Sequence, residues 1–227
     1  MPATDAYAAV WDMDGTLVDT AELHFQAWEA VCREMGRDFS RAEFAATFGR
    51  RNPDIFAALF GDRLSAAEAA EWSDRKEEQY RAAARRGVEL LPGVRALLED
   101  LHRIGFRQAI GSSAPRANLE LILRLTGIER FFGAVIGMEE TQRGKPDPQV
   151  FQVAAERLGV PPARCVVLED AVAGVQAARA GGMKCIAVTF VGHHSEDKLR
   201  AAGADLVVAN LAVVHAMMVK ELLARES

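Results

Sequence analysis

The sequence predicts an α/β fold in which helices cover a parallel sheet and a helical insertion follows the first strand. Two observations lead to this prediction. From residue 94 onward, short apolar runs alternate with stretches of helical spacing, which is typical of a parallel sheet covered by helices. Residues 20–87 instead have almost no strand pattern and are rich in alanine, glutamate and arginine at helical spacing.

The sheet is predicted from its short apolar runs. These place strands at residues 7–11, 106–111, 134–137, 165–168, 185–188 and 206–208. Between the later strands, apolar residues recur at helical intervals. This spacing predicts helices near 94–104, 116–126, 148–158, 172–180, 196–202 and 211–225. A sheet of six strands is of ordinary size.

The helical insertion is predicted to be a cap. Its helices are expected at 21–35, 41–47, 53–60 and 65–85, which is enough for a small four-helix bundle. The insertion leaves the sheet just after the first strand, so we expect it to lie over that strand's end as a lid. The chain is thus divided into a core of residues 1–18 and 89–227 and a cap of residues 19–88.

Composition limits the classes of function. A net charge of −5 over 227 residues gives no general attraction to nucleic acid or anionic membranes, so local cations must bind any anionic substrate. Cys32, Cys165 and Cys185 are odd in number and widely spaced, which favours reduced core residues over disulfides or zinc ligands. No leader pattern or membrane-length apolar run is present. We expect a cytoplasmic monomer without nucleic-acid or membrane partners.

The end of the first strand carries two carboxylates, Asp12 and Asp14. Residues two apart on a strand share a face, and ligands of open α/β sheets bind at this edge. One carboxylate can attack phosphorus, while a second protonates the leaving oxygen and later accepts a proton from water. Such a site requires a hard cation such as Mg²⁺, and Gly15 amides and the Thr16 hydroxyl can bind a phosphoryl oxygen. Taken alone, the Asp-Gly pair favours an ordinary turn.

Polar clusters also precede three later helices. Ser112 and Ser113 could hold a phosphoryl oxygen at a helix start, although such serines are more often simple caps. Lys145 lies in a rigid proline-containing segment and could neutralise charge during transfer, although most lone lysines are solvated. Glu169 and Asp170 end the fourth strand and are natural oxygen ligands for a cation, with helix capping by Asp170 as the alternative.

The four clusters together resemble the motifs of the haloacid dehalogenase superfamily, and the match spans essentially the whole chain. The motifs correspond to residues 12–16, Ser112, Lys145 and the pair at 169–170. The resemblance implies a Rossmann-like core, a mobile helical cap and a Mg²⁺-dependent mechanism with an aspartyl-phosphate intermediate.

The resemblance also implies individual roles. Asp12 would be the nucleophile and a metal ligand, and Asp14 the acid/base with its carbonyl on the metal. Asp170 would be a further ligand supported by Glu169, while Ser112 and Lys145 would hold the transferring group. Dehalogenases of the superfamily lack the second acid of the first motif, so Asp14 indicates phosphoryl transfer.

The first and fourth cap helices resemble those of the β-phosphoglucomutase branch of the superfamily. Thr20 and His24 match a threonine and a histidine that respond to cap closure, and Lys76 matches a lysine near the sugar phosphate. Without the resemblance, His24 is equally well a satisfied core or surface histidine. Lys76 would then be an ordinary solvated helix charge.

The turn that carries Arg50 and Asn52 could bind a distal phosphate or sugar hydroxyls, or it could be a solvated turn. The mutase pattern has an arginine at Asn52, and near Ser113 it has a lysine where this chain has proline followed by Arg116. These differences argue against mutase activity. The adjacent histidines at 193–194 lack a third ligand, which predicts a solvated loop.

The sequence leaves three functions open. The first is hydrolysis of a small phosphate monoester such as a sugar phosphate, and the second is β-phosphoglucomutase activity, which differs in its control of water. The third is a sugar-phosphate sensor without catalysis, which the filled catalytic positions disfavour. The predicted substrate-binding residues are Gly15, Thr16, Thr20, His24, Arg50, Asn52, Lys76, Ser113 and Arg116.

Overall fold

The computed structural model describes residues 6–225, and at its centre is a six-stranded parallel sheet. The strands are β1 (Ala8–Trp11), β2 (Arg107–Gly111), β3 (Ala134–Ile136), β4 (Cys165–Glu169), β5 (Lys184–Val188) and β6 (Leu206–Val208). They are arranged in the order β3-β2-β1-β4-β5-β6. The predicted α/β fold is confirmed. The ends of the predicted core, residues 1–5 and 226–227, lie outside the described residues.

Helices cover both faces of the sheet. Outside the insertion they are α5 (Val94–Arg103), α6 (Arg116–Thr126), α7 (Gln149–Leu158), α8 (Val172–Ala180), α9 (Glu196–Ala202) and α10 (Ala216–Ala224). Ala9 and Trp11 of β1 join an apolar cluster with α5, α6 and α10, whereas Ala8 and Val10 join one with α7, α8 and α9. Successive strand residues point to opposite faces, so a strand covered on both sides must be apolar throughout.

The insertion contains four helices: α1 (Ala21–Glu34), α2 (Arg41–Thr47), α3 (Asn52–Phe60) and α4 (Ala66–Ala84). They pack around their own apolar cluster, which is rich in aromatic rings such as Phe25, Trp28 and Phe56. We call residues 19–88 the cap. Its two connections to the sheet run side by side, because Val18 and Leu90 form an antiparallel bridge.

The prediction of a last helix at 211–225 is wrong over its first turn. A short 3₁₀ turn covers Leu211–Val213, and α10 begins only at Ala216. The Asn210 side chain accepts a hydrogen bond from the Ala212 amide, and His215 caps α10 by accepting one from the Met218 amide. Two caps in succession satisfy backbone donors that a continuous helix would otherwise pair internally.

The three cysteines are free and buried, as the sequence predicted. Within residues 6–225, no helix combines the length and the apolar character that crossing a membrane requires. The cytoplasmic location stays a prediction.

Candidate active site

The predicted polar clusters meet at the carboxyl edge of the sheet. Neighbouring strands β1 and β4 are in register, with Trp11 beside Leu168, so the acids that follow them are adjacent. Lys145 reaches the same place from the segment before α7. Its Nζ donates to Asp12 Oδ1 at 2.5 Å and to Glu169 Oε1 at 2.7 Å. The structure thereby joins three predicted motifs into one buried ion-pair cluster.

Burial and charge act in opposite directions on this cluster. Burial raises the pKa of Asp12, Lys145 lowers it, and the nearby acids raise it again, leaving a value of about 7. Burial would lower the pKa of Lys145, but the carboxylates of Asp12 and Glu169 outweigh burial and raise it above its usual range. Lys145 is therefore a fixed ammonium beside the proposed nucleophile.

Glu169 is held by the backbone as well as by Lys145. Its Oε2 accepts hydrogen bonds from the amides of Asp170 and Ala171, both at 2.6 Å. Gly174 leaves room for this carboxylate, since a Cβ there would lie 1.6 Å from Glu169 Oε1. These contacts hold the Glu169 carboxylate in one orientation.

Asp170 is the buried acid that could complete a cation site. Neither of its oxygens has a hydrogen-bond partner among the described residues, and burial raises its pKa well above the ordinary value. Oxygens of Asp12, Glu169 and Asp170 lie within 4.8 Å of one another. Gly15, with a φ of 84°, approaches so closely that a Cβ would lie 2.1 Å from Asp170 Oδ2. A cluster of three buried carboxylates, in which both Asp170 oxygens are without a partner in the described part of the chain, fits a hard divalent cation.

Asp14 faces the cap. Thr20 Oγ1 donates to its Oδ1, and His24 Nε2 and Tyr80 Oη lie 3.3 Å and 3.5 Å from the same oxygen. Burial would raise the pKa of Asp14, but His24, Thr20 and Lys76 outweigh burial and hold it below its usual value. The three contacts all involve Oδ1 and orient the carboxylate.

A second charged network lies inside the cap. Lys76 Nζ lies 2.8 Å from His24 Nδ1 and 2.8 Å from Glu77 Oε1, and its side chain is only 2% exposed. Asn52 Nδ2 donates to the same Glu77 oxygen at 2.8 Å. Lys76 is therefore buried and hydrogen-bonded. Its alternative interpretation as a solvated helix charge is wrong.

A cavity separates the cap from the sheet edge. Aromatic cap residues such as Trp28 and Phe48 form one wall of it. Of the predicted residues, it is lined by Asp12, Asp14, His24, Arg50, Asn52, Lys76, Ser112 and Ser113. Thr16 Oγ1 and Ser113 Oγ are buried without a hydrogen-bond partner among residues 6–225, and Ser112 Oγ accepts from the Ala114 amide at 3.2 Å.

The side chain of Arg116 forms its hydrogen bonds outside the cavity. It donates to Glu140 at 2.6 Å, to Glu120 at 3.0 Å and to the carbonyl of Val135 at 3.0 Å. It is not among the cavity-lining residues. The histidines at 193–194 lie in a loop, as predicted, but the loop is not fully solvated: both histidines are half-buried, and the His193 ring lies 4.6 Å from that of Phe48.

Comparison with known proteins agrees with this geometry. A family model described as haloacid dehalogenase-like hydrolase matches residues 8–182. The chain belongs to this family. Fructose-1-phosphate phosphatase YqaB of Escherichia coli (strain K12) is 33% identical over 183 residues, covering 80% of this chain and 96% of that protein.

Two further comparisons are with β-phosphoglucomutases, one by sequence and one by fold. β-Phosphoglucomutase of Bacillus subtilis (strain 168) is 33% identical over 208 residues, covering 88% of each chain. The crystal structure of β-phosphoglucomutase from Clostridium difficile shares the fold with a TM-score of 0.87 at 23% identity, covering 96% of this chain and 97% of that one. This haloacid dehalogenase-like hydrolase is therefore an enzyme whose relatives include named phosphatases and mutases.

Sequence reasoning missed three polar residues near the site: Glu77, Tyr80 and Asn118. A signal was available for the first two, because Lys76, Glu77, Tyr80 and Ala84 are the buried residues of α4 and recur at helical spacing. Asn118 carried no such signal, since its contact with the cap depends on how the cap lies over the core.

Proposed function

We propose that this enzyme is a Mg²⁺-dependent phosphatase of small phosphate monoesters, most readily sugar phosphates. One observation carries the proposal. Buried Asp12 accepts a hydrogen bond from Lys145 beside Asp170, whose oxygens have no partner among the described residues, and Asp14 follows Asp12 by two residues. This arrangement provides a nucleophile, a fixed positive charge, a cation site and a proton carrier in one pocket.

The residues perform a two-step transfer. Asp14, whose pKa lies below its usual value in the substrate-free enzyme, first takes up a proton as the ester binds. Asp12 then attacks phosphorus, the ester P–O bond breaks, and Asp14 gives that proton to the leaving oxygen. Water then attacks the aspartyl phosphate while Asp14 takes a proton, which releases inorganic phosphate and restores both acids. Lys145 offsets the charge on the transferring group, and the Ser112 and Thr16 hydroxyls donate to its oxygens.

A cation would be held by Asp12, Asp170 and the Asp14 carbonyl, with Glu169 as a further acid of the cluster. When bound, Mg²⁺ supplies positive charge that lets an anionic nucleophile approach an anionic phosphate. The amide contacts of Glu169 and its ion pair with Lys145 favour a supporting role for this residue.

β-Phosphoglucomutase activity is the second candidate, and the similarity to the Bacillus subtilis enzyme favours it. A mutase must bind a second phosphate. In this chain Asn52 donates a hydrogen bond to Glu77, and the Arg116 side chain pairs with Glu140. Among the described residues, the cavity is lined by two cations, Arg50 and Lys76, and Lys76 already pairs with Glu77. Hydrolysis requires only one phosphate site and is therefore the better fit.

A panel of phosphorylated sugars tests the choice. The purified enzyme is incubated with Mg²⁺ and fructose 1-phosphate, glucose 6-phosphate or β-glucose 1-phosphate, and both free phosphate and sugar-phosphate isomers are measured. We expect Mg²⁺-dependent phosphate release from at least one ester. Conversion of β-glucose 1-phosphate into glucose 6-phosphate without phosphate release would favour the mutase, and neither reaction with any ester would contradict both candidates.

The acidic cluster predicts a pH-dependent effect of Mg²⁺ on stability. A folded-state pKa of about 7 for Asp12, against 3.8 unfolded, means that metal-free stability falls as pH rises between those values. Mg²⁺ binds the ionised acids, so it should raise the Tm by about 5 °C or more at pH 8 and by much less at pH 5.5. Thermal unfolding with Mg²⁺ or EDTA at both pH values measures this difference.

Two variants complete that experiment. Asp170→Asn should abolish the Mg²⁺-induced shift at pH 8, whereas Asp19→Asn, the same change at an exposed position of the segment that follows β1, should keep it. A shift that is equal at both pH values, or that persists in Asp170→Asn, would contradict the proposed cation site.

A further inference from the structure

Glu77 of α4 is a buried carboxylate that connects the cap to the core. Its Oε1 accepts from Lys76 and Asn52, both in the cap, whereas its Oε2 accepts from Asn118 Nδ2 of core helix α6 at 2.5 Å. Burial would raise the pKa of Glu77, but Lys76, His24 and Asn118 outweigh burial and lower it to about 2. The residue is therefore ionised across the physiological range.

The Asn118 amide has a defined orientation. Its Oδ1 accepts from Arg81 Nη1 of the cap at 3.0 Å, so its Nδ2 must face Glu77. Glu77 and Arg81 lie four residues apart on α4, so they share one face of the helix, and both hydrogen-bond the Asn118 side chain. A rotated amide would place a donor against Arg81 and an acceptor against Glu77.

The network continues from Glu77 to Asp14. Lys76 has only donors, so it donates to Nδ1 of His24 and Glu77 Oε1 accepts its second hydrogen bond. With Nδ1 an acceptor, the ring N–H of His24 lies on Nε2, the atom that faces Asp14 Oδ1 at 3.3 Å. One continuous chain of polar contacts thus leaves the core, crosses the cap and returns to the core. It runs through Asn118, Glu77, Lys76, His24 and Asp14.

We propose that Glu77 and Asn118 are a positioning pair that couples cap closure to the orientation of the acid/base Asp14. This inference rests on the proposed phosphatase mechanism. Two ends of the chain cross between cap and core, Glu77–Asn118 and His24–Asp14, and both form only when the cap lies against the core. Loss of the first contact leaves Glu77 buried without its core donor, which favours the open cap and removes His24 from Asp14.

Exchanging the two functional groups separates this role from a general loss of stability. In Glu77→Gln, an amide donor faces the amide donor of Asn118. In Asn118→Asp, two buried carboxylates face each other. In the double variant, the new amide nitrogen at position 77 can donate to the new carboxylate at position 118, which still accepts from Arg81. The amide oxygen at position 77 remains for Lys76 and Asn52, so the double variant should recover what each single variant loses.

Two measurements test the pair. Hydrogen exchange of the connecting segments, residues 15–20 and 85–91, reports cap opening without substrate, and kcat and KM are measured with a phosphorylated sugar from the panel. Each single variant should exchange faster and lose about tenfold in kcat, and the double variant should return to within about threefold of the parent. Glu78→Gln, the same change at an exposed neighbouring position of α4, should match the parent in both measurements.

The outcomes are distinguishable. Unchanged exchange in both single variants, or losses that add in the double variant, would overturn the pairing. Faster exchange that is restored in the double variant, with no phosphate ester turned over even by the parent, would reject the proposed function and retain the cap–core contact. Faster exchange with unchanged kcat in the single variants would overturn the coupling to Asp14.

Discussion

Replacing Asp12 with asparagine should reduce hydrolysis of phosphate esters by about 10⁴-fold or more, because the amide has nearly the shape of the carboxylate but is not a nucleophile. The fold should persist, since the amide oxygen of the new side chain can still accept the hydrogen bond that Lys145 donates to Oδ1. Steady-state release of phosphate from the best ester of the panel, at saturating Mg²⁺, measures the loss.

Asp19→Asn is the matched control for this variant. Asp19 is exposed and accepts from the Ala21 amide at 3.3 Å, a role that asparagine keeps, so turnover should stay near that of the parent. Turnover by Asp12→Asn within about tenfold of the parent would show that Asp12 is not the nucleophile.

Replacing Lys145 with methionine should damage both activity and stability. The change keeps the length of the side chain but removes the buried cation between Asp12 and Glu169. Breaking a buried pair typically costs about 3–5 kcal/mol, which for a domain of this size lowers the Tm by roughly 10 °C. Loss of a charge that stabilises the transferring group should also slow turnover by about 10²–10³-fold.

Lys184→Met separates this effect from the general loss of a lysine. Lys184 lies on β5 and pairs with Asp205 at 3.2 Å, but the pair is partly exposed, so its loss should cost less than about 1 kcal/mol. Thermal unfolding in EDTA and turnover with Mg²⁺ are measured for both variants. Equal Tm values for the two variants, with activity retained in Lys145→Met, would contradict the assigned role of Lys145.

The core and its catalytic motifs were predictable because they depend on local rules. Parallel strands end at one edge of the sheet, so the backbone positions that directly follow neighbouring strands lie close together. The pairing of Trp11 with Leu168 is the physical reason that Asp12 and Asp170 meet. Strand polarity and spacing were sufficient to predict that these acids lie together, whereas the roles predicted for them came from the family resemblance.

The contacts made by the cap were harder to predict because they depend on how two separately packed parts meet. The bond from Asn118 to Glu77 joins residues 41 positions apart across that boundary, and neither residue belongs to a recognisable motif. Arg116 follows a predicted strand end as expected, but acids near β3 and on its own helix capture its side chain. Charge partners distant in sequence decide such orientations.

Chemical trapping of the intermediate tests the account most directly. The enzyme is mixed with a turned-over sugar phosphate and Mg²⁺, quenched in acid within a single turnover, and treated with borohydride, which reduces an aspartyl phosphate to homoserine. Peptide mass spectrometry should find homoserine at position 12 and unmodified aspartate at positions 14 and 170. Phosphate release during that turnover with position 12 unmodified throughout would contradict covalent catalysis by Asp12.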